Sequence, residues 1–588
     1  MKNIFKTFIM IAAAFVMAGC LNHVDDSGFD PQTPNISFSE ENLSIDQNGG
    51  ELTVKLSSNL PWRVTSDAAW LTISDANGLE GKSLVLTVAK NRTRKERVAT
   101  VTAWIIADQP VTMTVTQAPT PAGESFTYYV KADGDGLAEG FTWETATTLP
   151  TAMEKAADGD KICVAAGTYT PVTLIQGGET EQERTFEFHS NFTIEGGYPA
   201  DATTGAVADP SKNETIFDGV GSAYHVVVVS ASKDNTPAVL KNVTITGGRT
   251  HTANQQTYRQ AGENLVDVGL GGGLYIGKAN FIMENCKVIA NAAALAAGCY
   301  ISPNAEVTFR QCVFQNNASD SNGGGIWNAG ATLYMYDCVI AQNTCGQQAA
   351  GYYSIDSGGT ITVSRIYNTT FYENDCTQKN EKRSGGAAYI RAGSDAVFVN
   401  CTFTGNKAGW GAAVAAHGAG SDASKFSKTT LFNCTMTGNH ANNGGGGLFA
   451  YNANVDVTAY NCIISGNTSS GIAAEAGATD GVSPDCVKVK NSVLGTSLVD
   501  ATGGNVGGWS FSPTSMLGSF GIYDSGLTQC FPLVVSADNP AVDQGLSNAE
   551  LKELASAGFN PGIDTELLLK DQNGTPRTKK SIGSYNAK

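Results

Sequence analysis

The chain has 588 residues, a formal charge of -17 and a pI near 4.8, with 16 % charged residues and 66 glycines. That length accommodates several domains or one long repeat array with attachments, and so much glycine with so little charge suits short strands and many turns. No cluster of Lys and Arg offers phosphates an electrostatic footprint, which argues against a nucleic-acid partner. Acidity keeps a surface protein soluble and leaves Ca²⁺ open as a ligand without requiring it.

Lys2 and Lys6 precede an apolar run from Phe8 to Val16, followed by Met17-Ala18-Gly19-Cys20. A basic start, a short apolar stretch and small residues before a cut describe an export signal, too short to span a bilayer. Ending on Ala-Gly-Cys, residues 1–20 resemble a bacterial lipoprotein signal. The resemblance implies that Cys20 becomes a lipid-carrying N-terminus, anchored to the outer membrane at the cell surface. An ordinary signal peptide with a chance cysteine is the alternative. Residues 21–35 carry Asp25, Asp26 and two prolines and read as a tether.

From residue 36 to 118, apolar alternation with turns every few residues argues a small antiparallel sandwich. Leu60-Pro61-Trp62, Ala69-Trp70-Leu71, Asn91, Arg97 and Thr114-Val115-Thr116-Gln117 resemble the BACON domain over nearly its whole length. That Ig-like module of surface proteins from gut Bacteroidetes implies glycan or mucin binding in some members and a spacer in others. Trp62 and Trp70 suit the core of so small a domain; sugar stacking is the other use.

A linker at 119–126 leads into residues 127–515. Trp143-Glu144-Thr145-Ala146, an apolar helical face of Leu149, Met153 and Ala156, Asp158-Gly159-Asp160 and a strand from Ile162 to Tyr169 follow in that order. This order resembles the N-terminal cap of right-handed parallel β-helix proteins, and a solenoid end needs such a cover for its core and edge strand. One phrase then recurs seven times, from Asn285-Cys286 to Asn291, Gln311-Cys312 to Asn317, Asp337-Cys338 to Asn343, Asn368-Thr369 to Asn374, Asn400-Cys401 to Asn406, Asn433-Cys434 to Asn439 and Asn461-Cys462 to Asn467. A period between 20 and 50 residues marks a stacked array whose repeats bury their apolar faces only against each other. Short strands between Gly and Asn bends, with no helical stretch, exclude leucine-rich and βαβ arrays and leave a β-helix.

The closing asparagines predict a ladder, since Asn adopts the left-handed region and its amide reaches the next coil. The cysteines of the phrase predict a column of soft buried side chains; parallel in-register Cβ vectors suit disulfides badly. The repeats resemble those of chlamydial polymorphic outer-membrane proteins. Residues 516–588 resemble the tail of many surface β-helix proteins, departing from it at Ser581, Ser584 and Asn586, and read as a C-terminal cap.

The expected fold is therefore all-β: a sandwich followed by a right-handed parallel β-helix. The leading functional expectation is non-catalytic binding of a polysaccharide, a glycoconjugate or another surface through an aromatic column: Tyr275, Tyr300, Trp327, Tyr353, Tyr389 and Phe449. If Leu274, Ile326 and Leu448 face inward, that column faces outward, either exposed as a platform or hidden under loops. The enzymatic alternative is a polysaccharide lyase or glycoside hydrolase on an acidic polysaccharide, with Asp356, Asp375, Arg383 and Arg391 as catalytic candidates. Glu373, Lys379, Lys382, His417 and His440 lie near them in sequence or on neighbouring coils. Gly-His-Gly is absent, and the single Arg-x-Lys, at Arg577, lies in the tail. A purely structural stalk is the third reading, and no Cys or His grouping suggests zinc.

Overall fold

The computed structural model describes residues 32–586, apart from 234–235, 251–256, 378–383, 421, 423, 471, 474, 479–485, 496–502, 507–512 and 557. The chain divides into two compact units, one ending at Glu124 and the other beginning at Ser125.

The first unit is the expected sandwich. One sheet pairs Ile36–Phe38, Gly50–Ser58, Lys82–Val88 and Leu71–Ile73, all antiparallel. The other orders Asn42–Ile45, Val111–Gln117, Arg97–Trp104, Trp62–Ser66 and Asn77–Gly78, and its first pairing is parallel, a departure from simple alternation. Both tryptophans serve the fold. Trp62 is buried and its Nε1 donates to Glu80 O at 2.8 Å, while Trp70 lies half-buried with the Arg97 guanidinium 4.4 Å above its ring.

The second unit is a right-handed parallel β-helix built on sheets of twelve, eleven and ten strands. One coil shows the path: Ile326–Ala329 lies in the ten-stranded sheet, Thr332–Tyr336 in the twelve-stranded and Val339–Ala341 in the eleven-stranded sheet. Thr344–Cys345 then makes a short corner strand before Tyr352–Ile355 re-enters the ten-stranded sheet one rung on. At the N-terminal end the helix Leu149–Lys155, capped by Thr148, buries Leu149, Ala152 and Met153.

Two bends per coil make this path possible. The first residue of each phrase is left-handed, from Asn285 (φ 51) to Asn461 (φ 57). The second left-handed residue precedes the closing asparagine: Ala290, Asn316, Gln342, Glu373, Gly405, Gly438 and Gly466. The sequence reading placed that bend on the closing asparagine itself. The bend falls one residue earlier because the closing asparagine turns its amide into the interior.

There it forms the ladder. The Nδ2 of Asn291 donates to Asn317 Oδ1 at 3.1 Å, Asn317 to Asn343 and Asn343 to Asn374 at 3.0 Å, Asn374 to Asn406 at 2.9 Å, and Asn406 to Asn439 and Asn439 to Asn467 at 2.8 Å. Each receiving Oδ1 also accepts the preceding asparagine's backbone N–H, as Asn406 Oδ1 does from Asn374 N at 3.0 Å. Seven otherwise orphaned corners are satisfied in one buried column, which a low-dielectric interior requires. The last amide ends on a carboxylate: Asn467 Nδ2 donates to Glu475 Oε2 at 2.7 Å, and Gly466 N and Asn467 N donate to the same side chain.

Beside the ladder, Cys286, Cys312, Cys338, Cys401, Cys434 and Cys462 stack as free, buried thiols, with Thr369 taking the same place in its coil. Burial pushes the Cys286 thiol up to about 12 and those of Cys338, Cys434 and Cys462 well above the usual thiol range, which disfavours the reactive thiolate at these positions.

The tail is not an end cap. It runs back along the flanks of the solenoid, docking on the first-bend asparagines: Asn400 Nδ2 donates to Leu567 O at 2.8 Å, Asn433 Nδ2 to Leu568 O at 3.0 Å and Asn461 Nδ2 to Ser581 O at 2.9 Å. Arg577 is buried beneath it and donates to Gly583 O at 2.7 Å and Asn400 Oδ1 at 3.3 Å. Ser584 meets Thr402 at 2.8 Å and Thr435 at 3.1 Å, so this departure from the family tail makes a contact of its own.

Two outcomes follow for stability. Asn406→Ala leaves buried donors and acceptors unpaired on both sides, each costing about 1–3 kcal/mol. Urea unfolding is expected to show a loss of roughly 3 kcal/mol. The second concerns Glu475, whose carboxyl burial raises to about 7 from 4.5 against the amides that lower it. Because its folded value lies above its unfolded one, its contribution is full below pH ~4.5 and is lost as pH rises through ~7, a change of about 3 kcal/mol. Hydrogen exchange around Asn467 is expected to quicken from pH 5 to 8 after correction for intrinsic rates, and Glu475→Gln is expected to remove that dependence.

Candidate functional site

The aromatic column runs in strict register from Tyr275 through Tyr300, Trp327, Tyr353 and Tyr389 to Ala415 and Phe449. Its strand neighbours Leu274, Cys299, Ile326, Tyr352, Ala388, Val414 and Leu448 lie in the solenoid core, so the column faces outward. Rings contact in series, with centroids 5.1 Å apart for Tyr275–Tyr300, 6.0 Å for Tyr300–Trp327, 4.8 Å for Trp327–Tyr353 and 5.8 Å for Tyr353–Tyr389. Outward does not mean open. The hairpin Tyr258–Ala261 and Asn264–Asp267 packs on Tyr275, whose Oη donates to Leu265 O at 3.2 Å. Tyr275, Tyr353, Tyr389 and Phe449 keep only 3 %, 1 %, 2 % and 3 % exposure. Tyr300 and Trp327 are half-buried, which narrows the accessible strip to those two rings.

Two residues further along the strands, Arg391, His417 and Tyr451 form a polar rim in register. Arg391 Nη1 donates to Tyr353 Oη at 3.1 Å, and Asp356 pairs with Lys425 at 3.0 Å. Tyr389 Oη lies 2.9 Å from His417 Nδ1 and Asn452 Nδ2 lies 2.6 Å from His417 Nε2; a neutral ring that donates from Nδ1 and accepts at Nε2 satisfies both. Burial, and then Arg391, lower His417 to about 4, keeping it neutral at physiological pH. Burial acts to lower Arg391, but Tyr353 and Tyr389 outweigh it and the net shift is upward.

Asp375 is not part of this rim. It stands on the corner, in register with Thr344 and Lys407, and its Oδ1 accepts from Thr377 N at 2.8 Å and Thr377 Oγ1 at 2.6 Å. Arg383, Lys379, Lys382 and Cys20 lie outside the described residues. The described enzymatic candidates, Asp356, Asp375 and Arg391, are thus split between two edges of the solenoid. Among the described residues no group of three or more His, Cys, Asp or Glu is placed to hold a metal ion, Ca²⁺ included.

The sequence reading missed a groove over the twelve-stranded sheet. Its floor is the outward side of three successive rungs: Lys428 and Thr430, then Asp456, Thr458 and Tyr460, then Lys488 and Lys490. Its far wall is the tail helix Asn548–Ser556, which brings Glu550, Glu553 and Leu554, with Phe559 beyond it. The volume is about 730 Å³, within the range of roughly 300–1,000 Å³ usual for ligand sites. Tyr460 stacks on Phe432 at 5.2 Å with planes 17° apart, which fixes its ring. Lys428 Nζ sits 4.5 Å from the Phe559 ring centroid, and Lys488 pairs with Asp456 at 3.2 Å. Alternation in Lys428 to Phe432, Asp456 to Tyr460 and Lys488 to Lys490 marks the floor in the sequence. Nothing there marks the returning wall.

Comparison with known proteins agrees with this architecture in its parts. The model of the viral BACON domain matches residues 35–120, the span of the sandwich, and that of the Chlamydia polymorphic membrane protein repeat matches residues 311–329. No curated protein matches the chain. Among solved structures, pectate lyase Pel9A is 14 % identical, with 78 % of this chain and 88 % of that one covered and a TM-score of 0.40. A rhamnogalacturonan lyase is 13 % identical over 62 % and 87 %, with a TM-score of 0.36. A Bacteroides ovatus GH5 xyloglucanase, in complex with a heptasaccharide, is 13 % identical over 38 % and 58 %, with a TM-score of 0.15. Likenesses this distant carry no functional argument, and the β-helix rests on its own strand registers.

Proposed function

We propose that the protein binds a polysaccharide without cleaving it, held in the groove between the twelve-stranded sheet and the tail helix. The observation that carries this reading is the groove's lining: the Tyr460 ring, backed by Phe432, and Phe559, with Lys428 over its ring, stand among Lys490, Asp456, Glu550 and Glu553, which supply donors and acceptors. Sugar rings pair apolar faces with a girdle of hydroxyls, and rigid aromatic faces beside fixed polar groups match that chemistry. Tyr300, Trp327 and the Arg391 rim on the ten-stranded sheet form a secondary contact surface. The Ala18-Gly19-Cys20 ending supports display as a lipoprotein on the outer membrane.

A catalytic role is disfavoured by the separation of Asp375 from Asp356 and Arg391. The test uses the chain from residue 21, run by affinity electrophoresis against a polysaccharide panel with and without Ca²⁺, with products read by mass. Retention without fragments is expected, and Tyr460→Ala or Lys490→Glu is expected to weaken it at least about tenfold, or 1.4 kcal/mol, at unchanged thermal stability. Fragments with unsaturated ends would replace this reading with a lyase, and unaltered retention in both variants would move the site elsewhere.

A further inference from the structure

A second pocket opens at the corner that follows the eleven-stranded sheet, over the asparagine ladder. It encloses about 400 Å³ and is lined by Glu373, Asp375, Gly405, Lys407, Gly438 and His440. Three of these stand in one register column, Asp375 beside Lys407 beside His440, on successive rungs about 4.8 Å apart. The pocket therefore extends about 10 Å along the solenoid, the reach of a short oligosaccharide rather than a long chain.

Its charges are ordered. At one end Glu373 accepts from Gln342 Nε2 at 2.8 Å and Asp375 is fixed by Thr377. At the other, His440 Nδ1 is held by Thr468 Oγ1 at 2.8 Å, and the ring's Nε2 makes no hydrogen bond among the described residues. Lys407 lies between the two ends, exposed, and forms no ion pair among the described residues, although Asp375 is its register neighbour. A lysine ammonium offers three donors to whatever meets it.

The floor is open where the ridge before it is filled. The left-handed corner position carries a side chain in four successive coils, at Ala290, Asn316, Gln342 and Glu373, and none at Gly405 and Gly438. The left-handed backbone alone does not demand glycine there, since Gln342 and Glu373 hold it at φ 54°, against 66° at Gly405 and 70° at Gly438. Nor does crowding at Gly438, where an added Cβ would meet nothing nearer than Thr404 Oγ1 at 3.5 Å; at Gly405 it would meet Glu373 Cγ, itself part of the pocket lining, at 3.2 Å. What the glycines leave is space beside Lys407 and His440.

We propose that this corner pocket binds a short saccharide bearing an anionic group, a carboxylate or a sulfate. Lys407 and His440 face the anion, and Glu373 and Asp375 accept hydrogen bonds from the sugar hydroxyls. The site is separate from the groove under the tail helix, and its test is made independent of that groove by working in the Lys490→Glu background. Calorimetry would use a glucuronic-acid trimer, a sulfated glucose trimer and the neutral glucose trimer. One or both anionic trimers are expected to bind and the neutral one to bind at least about tenfold more weakly. Lys407→Met is expected to cost at least about tenfold, while Lys407→Arg stays within about threefold, since both cations serve an exposed anion contact. Absence of binding by both anionic trimers, equal affinity for the neutral trimer, or unchanged affinity in Lys407→Met would each overturn the proposal.

Discussion

A column of buried amides holds the solenoid in register. Each coil makes its second bend at a left-handed residue, and the asparagine after it is driven inward, where a polar side chain is costly unless fully paired. The ladder from Asn291 to Asn467 meets that demand by having each Oδ1 accept two donors from the preceding coil. Because the pairing is one amide per rung, the coils stack without slippage and every outward column on the sheets is fixed. Slipping by one residue would invert each strand's faces. Surface chemistry in this molecule is therefore a matter of which residue a given coil places in a given column.

Both pockets arise from that rule. On the twelve-stranded sheet, successive rungs bring Lys428 and Asp456 into one column, Thr430, Thr458 and Lys488 into the next and Phe432, Tyr460 and Lys490 into a third, a patterned floor that no single coil provides. The wall comes from the tail, and the tail is held by the second asparagine column at the first bends, where Asn400, Asn433 and Asn461 donate to its carbonyls. One residue type thus serves twice: inside it sets the stacking, and outside it docks the tail that shapes the groove.

The fold was legible because it repeats. Seven copies of the Asn-Cys phrase announce the coils, and the alternation Leu274-Tyr275-Ile276 gives which ring faces out. What covers those rings was not legible, because the hairpin at Tyr258 to Asp267 and the turn at Ala349 lie in the irregular loops between strands, which carry no period to show that they fold back over the column. The same limit hid the groove: Tyr460 and Phe559 are 99 residues apart in sequence, and only the returning tail brings them together. Charge patterning misled for a related reason. Asp356, Asp375 and Arg391 are close in sequence, yet a β-helix carries the chain around a full coil in about 30 residues, so Asp356 and Arg391 return to one edge while Asp375, between them, stands on another.

The central claim, that a polysaccharide lies in the groove between the twelve-stranded sheet and the tail, is tested most directly by hydrogen exchange on the mature chain with and without a saturating polysaccharide. The account predicts protection concentrated in Val455–Tyr460, Val487–Lys490 and the helix Asn548–Ser556. Protection confined to the strands from Cys299 to Arg391 on the ten-stranded sheet, with the tail helix unchanged, would contradict it.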